Sequence, residues 1–409
     1  MSKKNKLIPE LRFPEFKNQG EWEYVYGDEL FESISNKDHN SDLPILAITQ
    51  EQGAVPRDMI NYHVSVTDKS IESYKVVEIG DFIISLRSFQ GGIEYSNYLG
   101  LCSPAYIVLR KKEDVINDFY RHYFKSYPFI QDLKKNLEGI RDGKMISYTQ
   151  FSEILIPKPK IKEQKKIASC LSSLDEVISA YNERLEILKD HKKGLMQNLF
   201  PQEGEKVPKL RFKEFEKDGK WVEKNLGDVG EIITGNTPST SELVNYGGNK
   251  LFVSPADINN NRHILDTKIK LSDIGFSKAR QISANSILFV CIGSTIGKVA
   301  QNKFECATNQ QINSIIPSKE YSSDFIYSAL ENSASQISEL AGIQAVPIIN
   351  KSQFSAVKLL FPTIQEQQKI ASCLSSLDEL IAEQSEKIEQ LKQHKKGLMQ
   401  GLFPKAFTN

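Results

Sequence analysis

Residues 166–176 read KIASCLSSLDE, and residues 369–379 read KIASCLSSLDE again. Eleven identical residues at an offset of 203 cannot arise by chance, so the chain carries an internal duplication, and a repeat of that length is a whole domain plus a helix, not a solenoid turn. Downstream, HKKGLMQNLFP at 191–201 matches HKKGLMQGLFP at 394–404. A second block, offset by 199, pairs LRFPEF at 11–16 with LRFKEF at 210–215 and continues to Trp22 and Trp221, the two tryptophans of the chain. Between these blocks, residues 31–138 and 230–341 share only faint similarity. Each half therefore reads as a variable body inside a fixed frame. In mid-chain the first LFP leads through a short polar stretch into PKLRF, whereas the second LFP is followed only by a five-residue tail and its continuation, PELRF, lies at the N-terminus. Joining the termini would regenerate the connection, which predicts neighbouring termini and two halves related by a pseudo-two-fold axis.

The duplicated segment has a coiled-coil pattern. Apolar positions run Ile167, Leu171, Leu174, Ile178, Tyr181, Leu185, Leu188, then Lys192, Leu195 and Leu199, alternating four and three residues. The second copy repeats this from Ile370 to Leu402, with Gln384 and Lys395 in the seam. Prolines bracket each stretch (Pro159 and Pro201, Pro362 and Pro404), and residues 167–199 would span about 48 Å as a helix. Gly194 and Gly397 could cap the helices, but the seam continues beyond them, so the helices are expected to continue too. The stems of Lys192 and Lys395 are expected to snorkel out of the seam.

These features predict an α+β chain: two mixed α/β domains separated by two long antiparallel coiled-coil helices. The boundaries read as 1–158 for the first domain, 159–201 for the first spacer helix, 202–361 for the second domain, and 362–409 for the second helix and tail. Val76, Val77, residues 82–84, 287–290 and 312–316 read as strands, and residues 118–137 and 324–340 as helices.

Composition narrows the function. The 409 residues suffice for two cores. Neither an 18-residue apolar run nor an apolar signal region follows the N-terminus MSKKNK, so a cytoplasmic protein with no membrane partner is expected. Five cysteines without a CxxC pair fit a reducing compartment. Equal numbers of basic and acidic residues, 52 each, do not suggest a chain that binds nucleic acid unaided, but they allow one that shares phosphate contacts with other subunits.

Enzymatic motifs fail on inspection. Gly293-Ser294-Thr295-Ile296-Gly297-Lys298 follows a predicted strand like a phosphate-binding loop, yet it has three residues between its glycines instead of four, and Val299 where a Mg²⁺-binding Ser or Thr is required. Six scattered histidines form no metal-ligand spacing. The ExK fragment Glu163-Gln164-Lys165 loses its lysine in the second copy, Glu366-Gln367-Gln368, and reads as a solvated helix start. No catalytic residue, metal ligand or cofactor-binding residue is therefore assigned to this chain.

What remains is a set of loops rich in Gly, Asn, Gln, Thr, Ser and Arg. They carry Arg87, Ser88, Gln90, Arg141 and Lys144 in the first body, and Thr234, Asn236, Thr237, Asn260, Arg262, Ser294, Thr295, Lys298, Asn309, Gln310, Gln311 and Gln344 in the second. Asn and Gln can pair with adenine edges and Arg and Lys with guanine, while Ser and Thr hydroxyls hold phosphates. Ordinary turn chemistry explains any one of these loops. Together, on two unlike bodies, they suggest a two-part reader of double-stranded DNA.

The LRFxEF…GxW openings, the two unlike bodies and the repeated PxIxEQxKIAxxLxxLDE…KxxLMQxLFP helices resemble the specificity subunit of type I restriction-modification systems, the HsdS family. The resemblance covers nearly the whole chain. In the second body, Thr234 to Ser239, Gly293 to Lys298 and Asn309 to Gln311 are similar to recurrent motifs of that family's target-recognition domains; the first body departs from all three. The resemblance implies a noncatalytic DNA-reading platform that sets a spacer between two different half-sites. It also implies two modification methyltransferase subunits and restriction/translocase subunits as partners, with S-adenosylmethionine, ATP and Mg bound by those subunits. The near-identical helices would then dock the partners through Gln164, Lys166, Asp175 and Glu176 in one copy and Gln367, Lys369, Asp378 and Glu379 in the other. Two rival readings are an adaptor without a nucleic-acid role and a nucleotide-binding enzyme using the Gly293 to Lys298 loop.

Overall fold

A computed structural model of the chain describes residues 8–40, 42–60, 71–135, 146–259, 261–342 and 346–404. It divides into two units, Met1–Ala180 with Ile388–Asn409, and Tyr181–Lys387, so that each unit holds one body and a segment of both long helices.

The same topology recurs in both units although their sequences diverge. In the first, Phe31–Ile34, Ile107–Lys111, Phe82–Ile84 and Glu94–Tyr95 lie side by side in one antiparallel sheet. In the second, Gly230–Thr234, Ile312–Pro317, Ile287–Val290 and Val299–Asn302 take the same order, and His263–Ile264 adds a parallel edge. The central strand of each sheet is buried on both faces, which explains its continuous apolar sequence. Phe82 and Ile84 face the helical side with Phe119, Phe124 and Phe151, while Ile83 faces a second layer with Leu46, Val77 and Cys102. Ile287 and Phe289 likewise pack with Phe325 and Phe354, and Leu288 and Val290 with Leu251 and Cys306.

On the helical side the two units differ. Ser323–Glu339 is a single helix N-capped by the Ser322 hydroxyl. The helix expected over 118–137 is instead two, Asn117–Tyr123 and Tyr127–Lys135. Pro128 has no N–H for the Phe124 carbonyl four residues back, and its ring would crowd that carbonyl. Gly92 (φ +85°) fills this opening: a Cβ there would lie 2.0 Å from the Phe124 oxygen, so no other residue fits.

A short antiparallel ribbon joins each body to its long helix: Glu23–Tyr26 with Leu155–Lys158, and Val222–Asn225 with Lys358–Phe361. The helices Ile161–Leu199 and Ile364–Leu402 each run 39 residues, past Gly194 and Gly397, and stop before the prolines. The residues at the four-and-three positions are buried or half-buried, whereas most of those between them face solvent. Within the second unit, Gln384 Nε2 donates to the Tyr181 carbonyl (2.7 Å) and Lys192 pairs with Asp378 (2.6 Å), so the two segments run antiparallel there.

Lys192 does not snorkel. Buried, it also pairs with Glu331 (2.6 Å), and in the first unit Lys395 pairs with Asp175. In each unit, then, the aspartate of one copy of KIASCLSSLDE binds the lysine of the other copy of HKKGLMQ. The N-terminal segment reaches the end of the second helix, where Leu11 N–H donates to the Gly401 carbonyl (2.8 Å); the equivalent Leu210 N–H donates to Asn198 (2.9 Å).

Candidate nucleic-acid interface

In each sheet three loops converge at one end because the strands that carry them are neighbours. In the second unit these are the loop leaving Gly230–Thr234, the hairpin loop between Ile287–Val290 and Val299–Asn302, and the loop entering Ile312–Pro317. Thr237 Oγ1 donates to Gln310 Oε1 (2.7 Å), and Thr234 Oγ1 donates to Asn313 Oδ1 (2.6 Å). Asn309 Nδ2 donates to Gln311 Oε1 (2.9 Å), and Asn236 Oδ1 accepts from the Arg280 N–H (2.7 Å). Gly235 lets the first loop cross the third, since a Cβ there would sit 2.2 Å from the Thr308 carbonyl oxygen. Thr237, Gln310, Ser294 and Lys298 are exposed, and Asn236, Thr295, Asn309 and Gln311 half-buried, on this rim. Lys298 Nζ donates to the Ile258 carbonyl (2.9 Å). The Gly293 to Lys298 loop connects two antiparallel strands. No helix follows it to present its amide groups to a phosphate, which removes the remaining support for a nucleotide-binding loop.

The first unit places Arg87 and Gln90, both exposed, on the corresponding hairpin loop, beside residues 103–106 at the start of Ile107–Lys111. Arg141, Lys144, Asn260 and Gln344 lie outside the described residues.

Several expected site residues turn out to be structural. Arg262 is buried: its guanidinium donates to Gln301 (3.0 and 3.1 Å) and Ser375 (2.5 Å), pairs with Asp324 and Asp378, and stacks on the Tyr327 ring (4.6 Å). Every edge of the fork is occupied, so Arg262 fastens the body to the second helix and does not read DNA. Ser88 is also buried, its hydroxyl accepting from the Ser85 N–H (2.8 Å). The buried glutamines Gln164 and Gln367 are not docking residues. Gln164 accepts from the Ile116 N–H and donates to the Pro159 carbonyl, and Gln367 does the same with Ser322 and Pro362. Asp378 is taken up by Lys192 and Arg262, and Asp175 by Lys395. Lys166, Glu176, Lys369 and Glu379 remain exposed. Lys166 reaches Glu15 (3.4 Å) and the Phe13 ring, as Lys369 reaches Glu214 (3.2 Å) and the Phe212 ring.

The glutamate of the ExK fragment is not solvated. Glu163 is buried and takes a two-pronged ion pair from Arg12 (2.7 and 2.8 Å), and Glu366 takes the same from Arg211 (2.8 and 2.7 Å). The LRF opening therefore exists to lock the start of each long helix. Both partners recur in both copies, and that recurrence was the available signal. Among the described residues no group of His, Cys, Asp and Glu could hold a metal ion, and no helix is long and apolar enough to cross a membrane.

The two bodies thus share one topology, differ at their loop ends and carry one repeated helical frame. The sequence matches the family described as type I restriction modification DNA specificity domain twice, over residues 19–189 and 218–393, and the chain belongs to that family, HsdS. It is 26% identical over 436 residues to the MjaVIII specificity subunit of Methanocaldococcus jannaschii, covering 95% of this chain and 92% of that one. The HindI specificity subunit of Haemophilus influenzae is 37% identical over 148 residues, 35% of this chain and 32% of the relative. The crystal structure of the type I S subunit from M. genitalium shares the fold at a TM-score of 0.62 with 16% identity, covering 98% of this chain and 100% of that one. The chain is a noncatalytic specificity subunit of a type I restriction-modification system.

Proposed function

We propose that this subunit reads an asymmetric, two-part DNA target, one half through each body, and positions two modification methyltransferase subunits and the restriction subunits on it. The observation that carries this reading is that the same three loops meet at the same end of the same sheet in both units, while their residues differ. Arg87 and Gln90 in one unit, and Asn236, Thr237, Ser294, Thr295, Lys298, Asn309, Gln310 and Gln311 in the other, are the groups offered to the duplex. The exposed Lys166 and Glu176, repeated as Lys369 and Glu379, are offered to two copies of one partner. S-adenosylmethionine, ATP and Mg belong to the partners, and the assembly works in the cytoplasm. The 39-residue helices act as the ruler between half-sites.

The test is sequencing of methylated adenines with and without the gene, which should show one bipartite motif lost; no lost motif refutes the reading. Replacing residues 206–361 with another member's domain should change one half-site only. Inserting one heptad in both helices should lengthen the gap and leave both half-sites intact.

A further inference from the structure

The first unit holds a cleft of about 820 Å³ at the loop end of its sheet, between the hairpin formed by Leu46–Thr49 and Gly53–Pro56 and the loop that carries Arg87. Two guanidiniums line it, Arg57 and Arg87, together with the hydroxyl residues Thr49, Ser85, Ser103 and Tyr106. The one carboxylate in its wall is Glu51, which is exposed. Neither guanidinium has an ion pair or hydrogen bond among the described residues, in contrast to the fully occupied Arg262, Arg12 and Arg211.

The backbones beneath both arginines are nevertheless fixed. The Arg87 N–H donates to Ser85 Oγ (3.3 Å), and its carbonyl accepts from the Gln90 and Gly91 N–H groups (2.9 and 3.3 Å) and from Gln50 Nε2 (3.4 Å). Arg57 begins the turn Arg57–Met59, and its N–H donates to the Ile45 carbonyl (3.0 Å). Both arginines also act on Tyr106: burial pushes its phenol pKa up, and the two positive charges pull against that rise. Two unpaired, always-charged forks on pinned backbone, with hydroxyls between them and almost no competing carboxylate, are preorganised for an anion. The concave shape matters as well. Base edges are reached by groups that protrude into a groove, whereas the sugar-phosphate backbone is a ridge that a cleft can receive.

We infer that this cleft is a phosphodiester clamp in which Arg57 and Arg87 hold the DNA backbone and fix the register of the first half-site. The inference rests on the DNA-reading function proposed above and assigns Arg87 to phosphate, not to a base.

The test measures binding of the full-length chain to a random-sequence duplex by fluorescence anisotropy over a range of salt concentrations. Each phosphate contact contributes about −0.9 to the slope of log K against log [salt]. Arg57→Gln and Arg87→Gln should each flatten the slope by about 0.9 and the double variant by about 1.8, with the same loss on every sequence, while Arg87→Lys keeps the wild-type slope. An unchanged slope in the double variant overturns the inference alone. So does a loss confined to duplexes carrying particular bases, which would mark a base reader. Equal displacement of the wild-type protein and of the double variant by inorganic phosphate at constant ionic strength would also overturn it, because competition at this cleft must vanish with both arginines. A wild-type slope indistinguishable from zero overturns the DNA-reading function together with the clamp.

Discussion

Removing Glu163 should unfasten the first unit while sparing the second. Arg12 and Glu163 are 6% and 1% exposed and share two hydrogen bonds, Nε to Oε1 at 2.7 Å and Nη2 to Oε2 at 2.8 Å. Nη1 is bound separately, to the Gly20 carbonyl (2.5 Å). Glu163→Ala would strand a buried guanidinium with two orphaned donor groups. Two charge-assisted bonds at about 1.5–3 kcal/mol each, and the measured cost of breaking buried pairs, agree on a loss of about 3–5 kcal/mol. Glu163→Gln keeps one acceptor and should lose about half as much. With a urea slope of about 2 kcal/mol/M, the Ala variant's midpoint falls by about 1.5–2.5 M. Each unit holds one buried tryptophan, so Trp22 in a Trp221→Phe background reports the first unit, and Trp221 in a Trp22→Phe background the second. The double variant Arg12→Met with Glu163→Met should recover most of the loss, because an apolar pair leaves no charge buried. A double variant as unstable as the two single losses added together, or equal shifts at both tryptophans, would refute this role for the pair.

Two further outcomes follow from other contacts. His122 is buried with Nδ1 3.8 Å from Asp175 Oδ2 and Nε2 3.1 Å from Ser172 Oγ; burial, then the charge of Lys395, lowers its pKa to about 4 against the pull of Asp175. A folded-state value below the ordinary 6.5 means that the unfolded chain binds the extra proton, so the stability this site confers is full above pH 6.5 and is lost as pH falls towards 4. Urea unfolding followed by Trp22 should show the first unit weakening by about 2–3 kcal/mol across that window, and His122→Gln should flatten the profile. Gly235→Ala would drive a Cβ to 2.2 Å from the Thr308 carbonyl oxygen and displace the crossing loops. Methylome sequencing should then show the half-site read by the second unit degraded and the other kept.

The duplication, the two long helices and the family were legible in the sequence because each rests on local or repeated information. A four-and-three apolar spacing names a helix seam whatever surrounds it, and eleven identical residues name a repeat. Continuous apolar runs such as Ile287–Val290 marked central strands for the same reason. Burial and pairing were not legible at individual polar positions. Arg87 and Arg262 look alike as letters in polar loops, yet one is exposed and unpaired among the described residues while the other is closed in by Gln301, Asp324, Ser375 and Asp378, up to 116 residues away. Gln164 and Glu163 likewise read as surface groups until Ile116, at the start of the helix Asn117–Tyr123, and Arg12 of the N-terminal segment fold against them.

The sequence by itself determined that one frame is used twice, because a repeat is written in the order of residues. Only the tertiary structure decided that the two dissimilar bodies share one sheet order, and that each repeated aspartate is neutralised by the lysine of the other copy. Topology is kept by any residues that fill the same core, and an ion pair across distant segments exists only once folding has brought its charges together and removed the water between them.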